Sequence, residues 1–209
     1  MGDPFCGRGA PRAGARRGRG VNGPELRTDM VLVYVFRRAH ETGEVSLLQV
    51  RRTREPFAGT WQTVAGSIER GERAVAAAAR ELREEIALDV RTPACLGFWR
   101  LDRVRPFYMP AFKGSARDAV ILAPSFAAEA APSWSARLND EHDASRWVGA
   151  SEVRASFMWP GQVEAIGEVL GWLAEATPAR AHLRIDPGSI EVAPGEPGAS
   201  GADARVDRD

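Results

Sequence analysis

Three glutamates near the middle of the chain have the spacing of a cation-binding face. Glu81, Glu84 and Glu85 stand at positions i, i+3 and i+4, which share one side of an α-helix at about 100° per residue. Their carboxylates repel one another, and a cation such as Mg²⁺, which prefers hard oxygen ligands, would offset that repulsion. The residues alone leave two interpretations open: a metal site that shares its ion with phosphates, or an ordinary solvated face paired with neighbouring arginines.

A helix over residues 72–88 is predicted to carry these glutamates. Val75, Ala79, Leu82 and Ile86 form an apolar stripe at helical spacing, well separated from the carboxylates. The stripe is therefore expected to pack against a core. Strands are predicted at residues 30–36, 44–52, 96–101, 119–124 and 145–148. Two further helices are predicted after them, a short one that begins at residue 151 and a longer one over residues 160–175. Strands and helices without strict alternation indicate a mixed sheet with helices against it, an α/β (α+β) fold.

Composition divides the 209 residues into three parts. Residues 1–28 are rich in Gly, Arg, Ala and Pro, and residues 177–209 are similarly poor in apolar periodicity. Both are predicted to be largely disordered, because neither offers enough apolar surface to offset the entropy of ordering. The predicted catalytic domain is residues 29–176.

Charge and cysteine content exclude several classes of protein. The 28 basic and 28 acidic side chains give zero net charge, so no specific nucleic-acid partner is expected. No apolar run approaches the roughly 20 residues that span a bilayer, so no membrane partner is expected either. Cys6 and Cys95 form no disulfide framework, which fits a reducing, cytoplasmic location. A homodimer is left open.

A longer pattern surrounds the three glutamates. Gly66 is followed after five residues by Glu72 and after seven more by Arg80-Glu81-Leu82-Arg83-Glu84-Glu85-Ile86-Ala87-Leu88. This spacing matches the box of Nudix hydrolases at every position except Ala87, where that family usually has Gly. The chain therefore resembles a Nudix hydrolase, which implies an α/β/α sandwich in which the box folds as loop–helix–loop.

The resemblance implies roles for the matched positions. Glu81, Glu84 and Glu85 are expected to bind Mg²⁺ or Mn²⁺, with help from the backbone carbonyl near Gly66.

Two further positions of the box are expected to be structural. Glu72 and Arg80 would form an internal ion pair that fixes the loop to the helix. Ala87 would need a left-handed backbone conformation at the helix exit, at a cost on the order of 1 kcal/mol.

The flanks of the box are similar to the bacterial branch of dihydroneopterin triphosphate diphosphatases and dATP pyrophosphohydrolases. The similarity includes the segments 61–67, 138–147 and 158–162. It implies hydrolysis of a small triphosphate that bears an aromatic heterocycle, giving the monophosphate and pyrophosphate. Two alternatives are a nucleotide-pool sanitising enzyme acting on oxidised dNTPs and a non-catalytic module that senses nucleotides.

The general base has three candidates. Glu141 is the first, because this branch places a catalytic Glu before the following His. His142 is the second, since the imidazole pKa suits proton transfer. Glu85 is the third, if the metal leaves one of its oxygens free.

Substrate binding is assigned to cations and one aromatic ring. Arg51, Arg52 and Arg54 stand on a predicted strand end and the loop before the box, where the phosphates are expected. Trp61 is a candidate to stack on the heterocycle, with core packing as the alternative.

Overall fold

The computed structural model describes residues 23–111 and 117–191. The predictions for residues 1–22 and 192–209 lie outside these described residues. The strands are β1 (Glu25–Arg27), β2 (Met30–Arg38), β3 (Val45–Arg52), β4 (Trp61–Gln62), β5 (Val64–Ser67), β6 (Cys95–Arg100), β7 (Phe107–Met109), β8 (Ala119–Ile121), β9 (Ser125–Ala130) and β10 (His142–Gly149). The helices are α1 (Ala74–Ile86), α2 (Val153–Ser156), α3 (Pro160–Glu168) and α4 (Pro178–Leu183), with a π-helical continuation of α3 at Val169–Leu173.

The main sheet is mixed and lies between helices. Its order is β10-β3-β2-β9-β6, with β4 beside β3 and β5 beside β2. Strand β2 runs parallel to β9 and antiparallel to β3 and β5. A second sheet has the order β1-β8-β7. The predicted fold class, an α/β/α sandwich with a mixed sheet and a loop–helix–loop box, is confirmed.

Side chains of β2 alternate between two separate cores. Val31, Val33 and Val35 face the core that includes α1, whereas Tyr34 and Phe36 face the core that includes α3 and α4. This alternation follows from the two-residue period of a strand. Helix α1 buries Leu82 and Ile86 of its predicted stripe in the first core, while Val75 and Ala79 are only partly buried against it. The glutamates of the box are thereby fixed at the end of the sheet where β2 begins and β5 ends.

Strand β9 is central to the sheet and was not predicted. Residues 125–130 are all buried, and they pair with β2 in parallel and with β6 in antiparallel orientation. A strand buried on both faces lacks apolar–polar alternation, and its alanines carry little strand propensity. The strand predicted at 119–124 is shorter in the structure, where β8 ends at Ile121 and β9 begins at Ser125.

The folded domain is wider than its predicted limits. Residues 25–27 form β1 and pair with β8, so the predicted disordered leader is wrong for this segment. The predicted disordered tail is wrong for residues 177–191, where α4 forms and Leu183 and Ile190 are buried. No helix of the two described stretches is long and apolar enough to cross a membrane.

Contacts with the main sheet anchor this C-terminal segment, and its composition does not predict them. Arg180 of α4 donates to the buried carboxylate of Glu129 at 2.7 Å and lies over the ring of Trp99 at 4.5 Å. The indole Nε1 of Trp99 donates in turn to the carbonyl of Arg180 at 2.9 Å. A buried acid on β9 and a buried indole on β6 therefore anchor α4.

Candidate active site

Arg80 ties the loop of the box to α1. Its guanidinium donates to both carboxylate oxygens of Glu72 at 3.0 Å and to the carbonyl of Ser67 at 2.8 Å. Glu72 also accepts from the backbone N–H of Glu69 at 2.9 Å. These bonds lower the pKa of Glu72, the bonds from Arg80 being the main cause. The loop after β5 is thus held against the first turns of the helix.

The three glutamates of the box do not share one environment. Glu81 and Glu85 are buried, whereas Glu84 is half exposed. Arg80 Nη1 donates to Glu81 at 2.8 Å and to Glu84 at 3.1 Å. An ordinary solvated face, the alternative left open by the sequence, is therefore wrong for two of the three carboxylates.

Gly66 leaves room for one of the buried carboxylates. A Cβ at residue 66 would lie 1.9 Å from the carboxyl carbon of Glu81, far inside contact distance. Since β2 and β5 hold the backbone of Gly66 in register with Val31, the carboxylate packs directly on the main chain. The Gly of the box is required by this close approach.

Glu85 is the most perturbed acid of the site. It is 2% exposed, and its Oε2 has no hydrogen-bond partner among the described residues. Burial is the main cause that raises the pKa of Glu85 to about 9, and the carboxylates of Glu81 and Glu141 raise it further. A backbone hydrogen bond at Ala65 acts in the opposite direction.

His142 lies beside this acid without forming an ion pair. Its Nδ1 is 3.9 Å from Oε2 of Glu85, and neither ring nitrogen has a hydrogen-bond partner among the described residues. Burial lowers the pKa of His142, while it raises that of Glu85. Burial thus disfavours the charged form of both side chains.

The buried acids fit a hard divalent cation. Repulsion between neighbouring carboxylates and an unpartnered carboxylate oxygen are the conditions that Mg²⁺ or Mn²⁺ relieves. In the described part of the chain no three His, Cys, Asp or Glu side chains already converge on one point. Two of the three carboxylates of the box, those of Glu81 and Glu84, are instead paired with Arg80.

Glu141 is the candidate base that reaches solvent. It stands just before β10, and its side chain is about one third exposed. Arg54 Nη1 donates to its Oε1 at 3.2 Å, and Arg54 also pairs with Asp140. Thr53 N–H donates to the carbonyl of Glu141 at 2.8 Å. His142 and Glu85, the other two candidates, are buried.

The three arginines proposed for phosphate binding lie in different surroundings. Arg54 faces Glu141, and the charge of Arg52 acts on the pKa of Glu85, so both lie beside the box. Arg51 forms two hydrogen bonds with Asp143, at 2.7 and 3.0 Å. Arg51 is thus paired with an acid outside the box, whereas Arg54 is paired with Glu141 and Asp140 beside it.

Trp61 already has cationic neighbours. The guanidinium of Arg146 lies 4.2 Å from its ring centroid, and that of Arg51 lies 5.8 Å away. Arg146 also donates to the buried Gln49 at 2.9 Å. Sequence reasoning assigned no role to Arg146 or Asp143, although both lie in the segment 138–147 that resembles the family branch.

Fold and box together define the protein class. The chain belongs to the Nudix family, since the family model described as NUDIX domain matches residues 26–168, more than half of the chain. The resemblance stated from the sequence is confirmed.

Individual relatives are matched over shorter stretches. A dihydroneopterin triphosphate diphosphatase of Escherichia coli is 45% identical over 60 residues, 29% of this chain and 36% of the relative. An octanoyltransferase of Myxococcus xanthus is 35% identical over 127 residues, 60% of this chain and 31% of the relative. The chain thus spans about a third of the length of these curated relatives.

A solved structure shows the same fold. The E. coli dihydroneopterin triphosphate pyrophosphohydrolase superposes with a TM-score of 0.53 at 23% identity, covering 69% of this chain and 95% of that one.

Proposed function

We propose that this protein is a Mg²⁺-dependent pyrophosphohydrolase that converts the triphosphate of a nitrogen heterocycle to the monophosphate and pyrophosphate. Dihydroneopterin triphosphate and dATP are the first substrates to consider. The observation that carries the proposal is the buried pair Glu81 and Glu85 against Gly66, with one oxygen of Glu85 unpartnered. The partial likeness to the E. coli dihydroneopterin triphosphate diphosphatase supports the pterin as the first choice.

Glu81, Glu84 and Glu85 would hold the cation. When bound, the cation neutralises phosphate charge and lowers the pKa of a nearby water. Its positive charge would also favour the ionised form of Glu81 and Glu85, whose protonated form burial favours in its absence. Arg80 would be released from two carboxylates while keeping its bonds to Glu72.

The remaining roles fall to residues of the neighbouring loops. Arg52 and Arg54 bind the phosphates through charged hydrogen bonds. Glu141 accepts a proton from the attacking water, because it is the solvent-accessible acid of the three candidates. His142, whose Nδ1 lies 3.9 Å from Oε2 of Glu85, is a neighbour of the cation-binding acid in this arrangement.

A substrate panel tests the proposal. Purified protein is incubated with Mg²⁺ and, separately, dihydroneopterin triphosphate, dATP, the other dNTPs and 8-oxo-dGTP, and pyrophosphate and orthophosphate are measured. Pyrophosphate release that stops on addition of EDTA is expected. A preference for 8-oxo-dGTP would favour the pool-sanitising alternative. Nucleotide binding without product in any reaction would favour the sensing module, against which stands the presence of every carboxylate of the box.

A further inference from the structure

Buried polar atoms without a partner are concentrated on one pair of side chains. Within the described residues, four buried side-chain polar atoms have no hydrogen-bond partner, and three of them are Oε2 of Glu85 and both ring nitrogens of His142. Buried polar groups of native proteins are nearly always hydrogen-bonded. Three exceptions in one place therefore need an explanation.

Main-chain contacts hold His142 beside the end of α1. The backbone N–H of Asn139 donates to the carbonyl of Glu85 at 3.2 Å, and the carbonyl of Asn139 accepts from the N–H of His142 at 3.4 Å. The side-chain Oδ1 of Asn139 accepts from the N–H of Glu141 at 3.1 Å. Strand β10 then begins at His142, opposite Arg52 of β3. The approach of the imidazole to Glu85 is thus determined by the backbone.

The two side chains are close to hydrogen-bonding distance. Nδ1 of His142 lies 3.9 Å from Oε2 of Glu85, about 1 Å longer than an ordinary N–H···O bond. Both side chains are almost completely buried, so bulk water does not serve as their partner. The terminal torsion of a glutamate has a broad energy minimum, so a small rotation of the carboxylate closes this distance.

The position of the imidazole proton follows from the same contacts. Burial lowers the pKa of His142, which favours the neutral ring with a single N–H. On Nδ1 this proton faces the oxygen of Glu85, whereas on Nε2 it meets no acceptor among the described residues. An N–H bonds more strongly to an ionised carboxylate than to a neutral acid. A carboxylate that binds a metal ion is ionised.

We infer that His142 is a positioning residue, whose Nδ1–H donates to Oε2 of Glu85 and fixes the orientation of that carboxylate when it binds the divalent cation. This inference rests on the proposed function, since it takes Glu85 as a ligand of the cation. It replaces the role of general base predicted for His142, because a fully buried ring does not reach an attacking water. Loss of such an outer donor typically weakens metal binding about 10- to 100-fold.

Mn²⁺ affinity without substrate tests the inference separately from catalysis. Free Mn²⁺ is measured by electron paramagnetic resonance during titration of the full chain. His142→Leu removes the donor at similar bulk and is expected to weaken Mn²⁺ binding about tenfold. His142→Asn retains an N–H near the position of Nδ1 and is expected to stay within about threefold of the wild type. His40→Leu, on an exposed turn, is the matched control and should bind as the wild type does.

The tautomer of the wild-type ring gives a second measurement. Long-range ¹H–¹⁵N correlation spectra of the full chain with Mg²⁺ distinguish a proton on Nδ1 from one on Nε2. The chain has three histidines, so the signal of His142 is the one that His142→Asn lacks. The Nδ1–H tautomer is expected. An Nε2–H tautomer in the presence of Mg²⁺ overturns the inference, and this result remains decisive if His142→Leu does not fold.

Kinetics with the best triphosphate distinguish positioning from proton transfer. His142→Leu is expected to raise the Mg²⁺ concentration for half-maximal rate about tenfold, with kcat at saturating Mg²⁺ within about threefold of the wild type. A large loss of kcat at every Mg²⁺ concentration would indicate a general base and overturn the inference. Equal Mn²⁺ affinity in the wild type and His142→Leu, or no Mn²⁺ binding by the wild type, also overturns it. Mn²⁺ binding that depends on His142 without hydrolysis of any triphosphate rejects the proposed function alone.

Discussion

The carboxylate of Glu81 occupies the space that a side chain at Gly66 would need, with only 1.9 Å between its carboxyl carbon and an added Cβ. We therefore expect Gly66→Ala to displace this carboxylate and to reduce Mg²⁺-dependent kcat/KM at least about tenfold, with a raised Mg²⁺ requirement. Gly171→Ala is the matched control, because its added Cβ meets no atom within 4 Å. Equal activity in both variants would show that the contact has no role in metal binding.

Replacement of Glu85 separates function from stability. Because burial raises its pKa to about 9, Glu85 is protonated near pH 7 without metal, and Gln is a close neutral substitute. Glu85→Gln is expected to lose activity about 100-fold or more with Mg²⁺, while its Tm in EDTA near pH 7 is expected to rise above the wild-type value, because Gln has no charge to bury. Glu41→Gln, on an exposed turn, is the control. Retained activity in Glu85→Gln would remove it from the metal site.

The same substitution has a defined pH dependence without metal. A carboxyl whose pKa is raised in the folded state disfavours folding increasingly as pH rises from its ordinary value, 4.5, towards about 9. The free energy of unfolding in EDTA should thus fall over this range in the wild type relative to Glu85→Gln. Urea titrations at several pH values measure the difference, and parallel curves would contradict the burial of this acid.

The pKa of Glu72 is shifted in the opposite direction to that of Glu85, and so is its effect on stability. Arg80 and the Glu69 backbone lower its pKa, so its contribution to stability is fully present above the unfolded value of 4.5 and is lost as pH falls through the folded value. Glu72→Gln is expected to cost about 1–2 kcal/mol near pH 7, and the cost should shrink in acid. Chemical unfolding at pH 7 and at pH 3 checks this. A cost that is independent of pH would point to packing instead of charge.

The exit of α1 offers a stabilising change. Ala87 has φ 58° and ψ 34°, the left-handed conformation expected from the Gly of the family box. Ala87→Gly should therefore raise the free energy of unfolding by about 1 kcal/mol. Ala79→Gly, inside the same helix, should lower it by a similar amount. Urea unfolding of the pair tests the sign of each change.

Local pattern and spacing predicted the box well, because its requirements lie within one loop and one helix. The positions of Gly66 and Ala87 are backbone requirements that a motif states directly. The environments of Glu85 and His142 could not be predicted, since burial depends on which distant segments pack over them. Strand β9 escaped prediction for the same reason: its partners, β2 and β6, determine that Ser125–Ala130, which includes the acid Glu129, becomes an interior strand.

Strand β6 is the last strand of the main sheet, and the chain itself shields its open side. The N–H of Ile185 donates to the carbonyl of Phe98 at 2.8 Å, and Arg184 forms a bridge with Trp99. Unpaired strand edges are templates for association between copies of a protein. The segment after α4 therefore covers a strand edge that would otherwise be open to pairing with another copy of the protein. We expect a chain shortened at residue 176 to self-associate in size-exclusion chromatography, even though every residue of the box is retained.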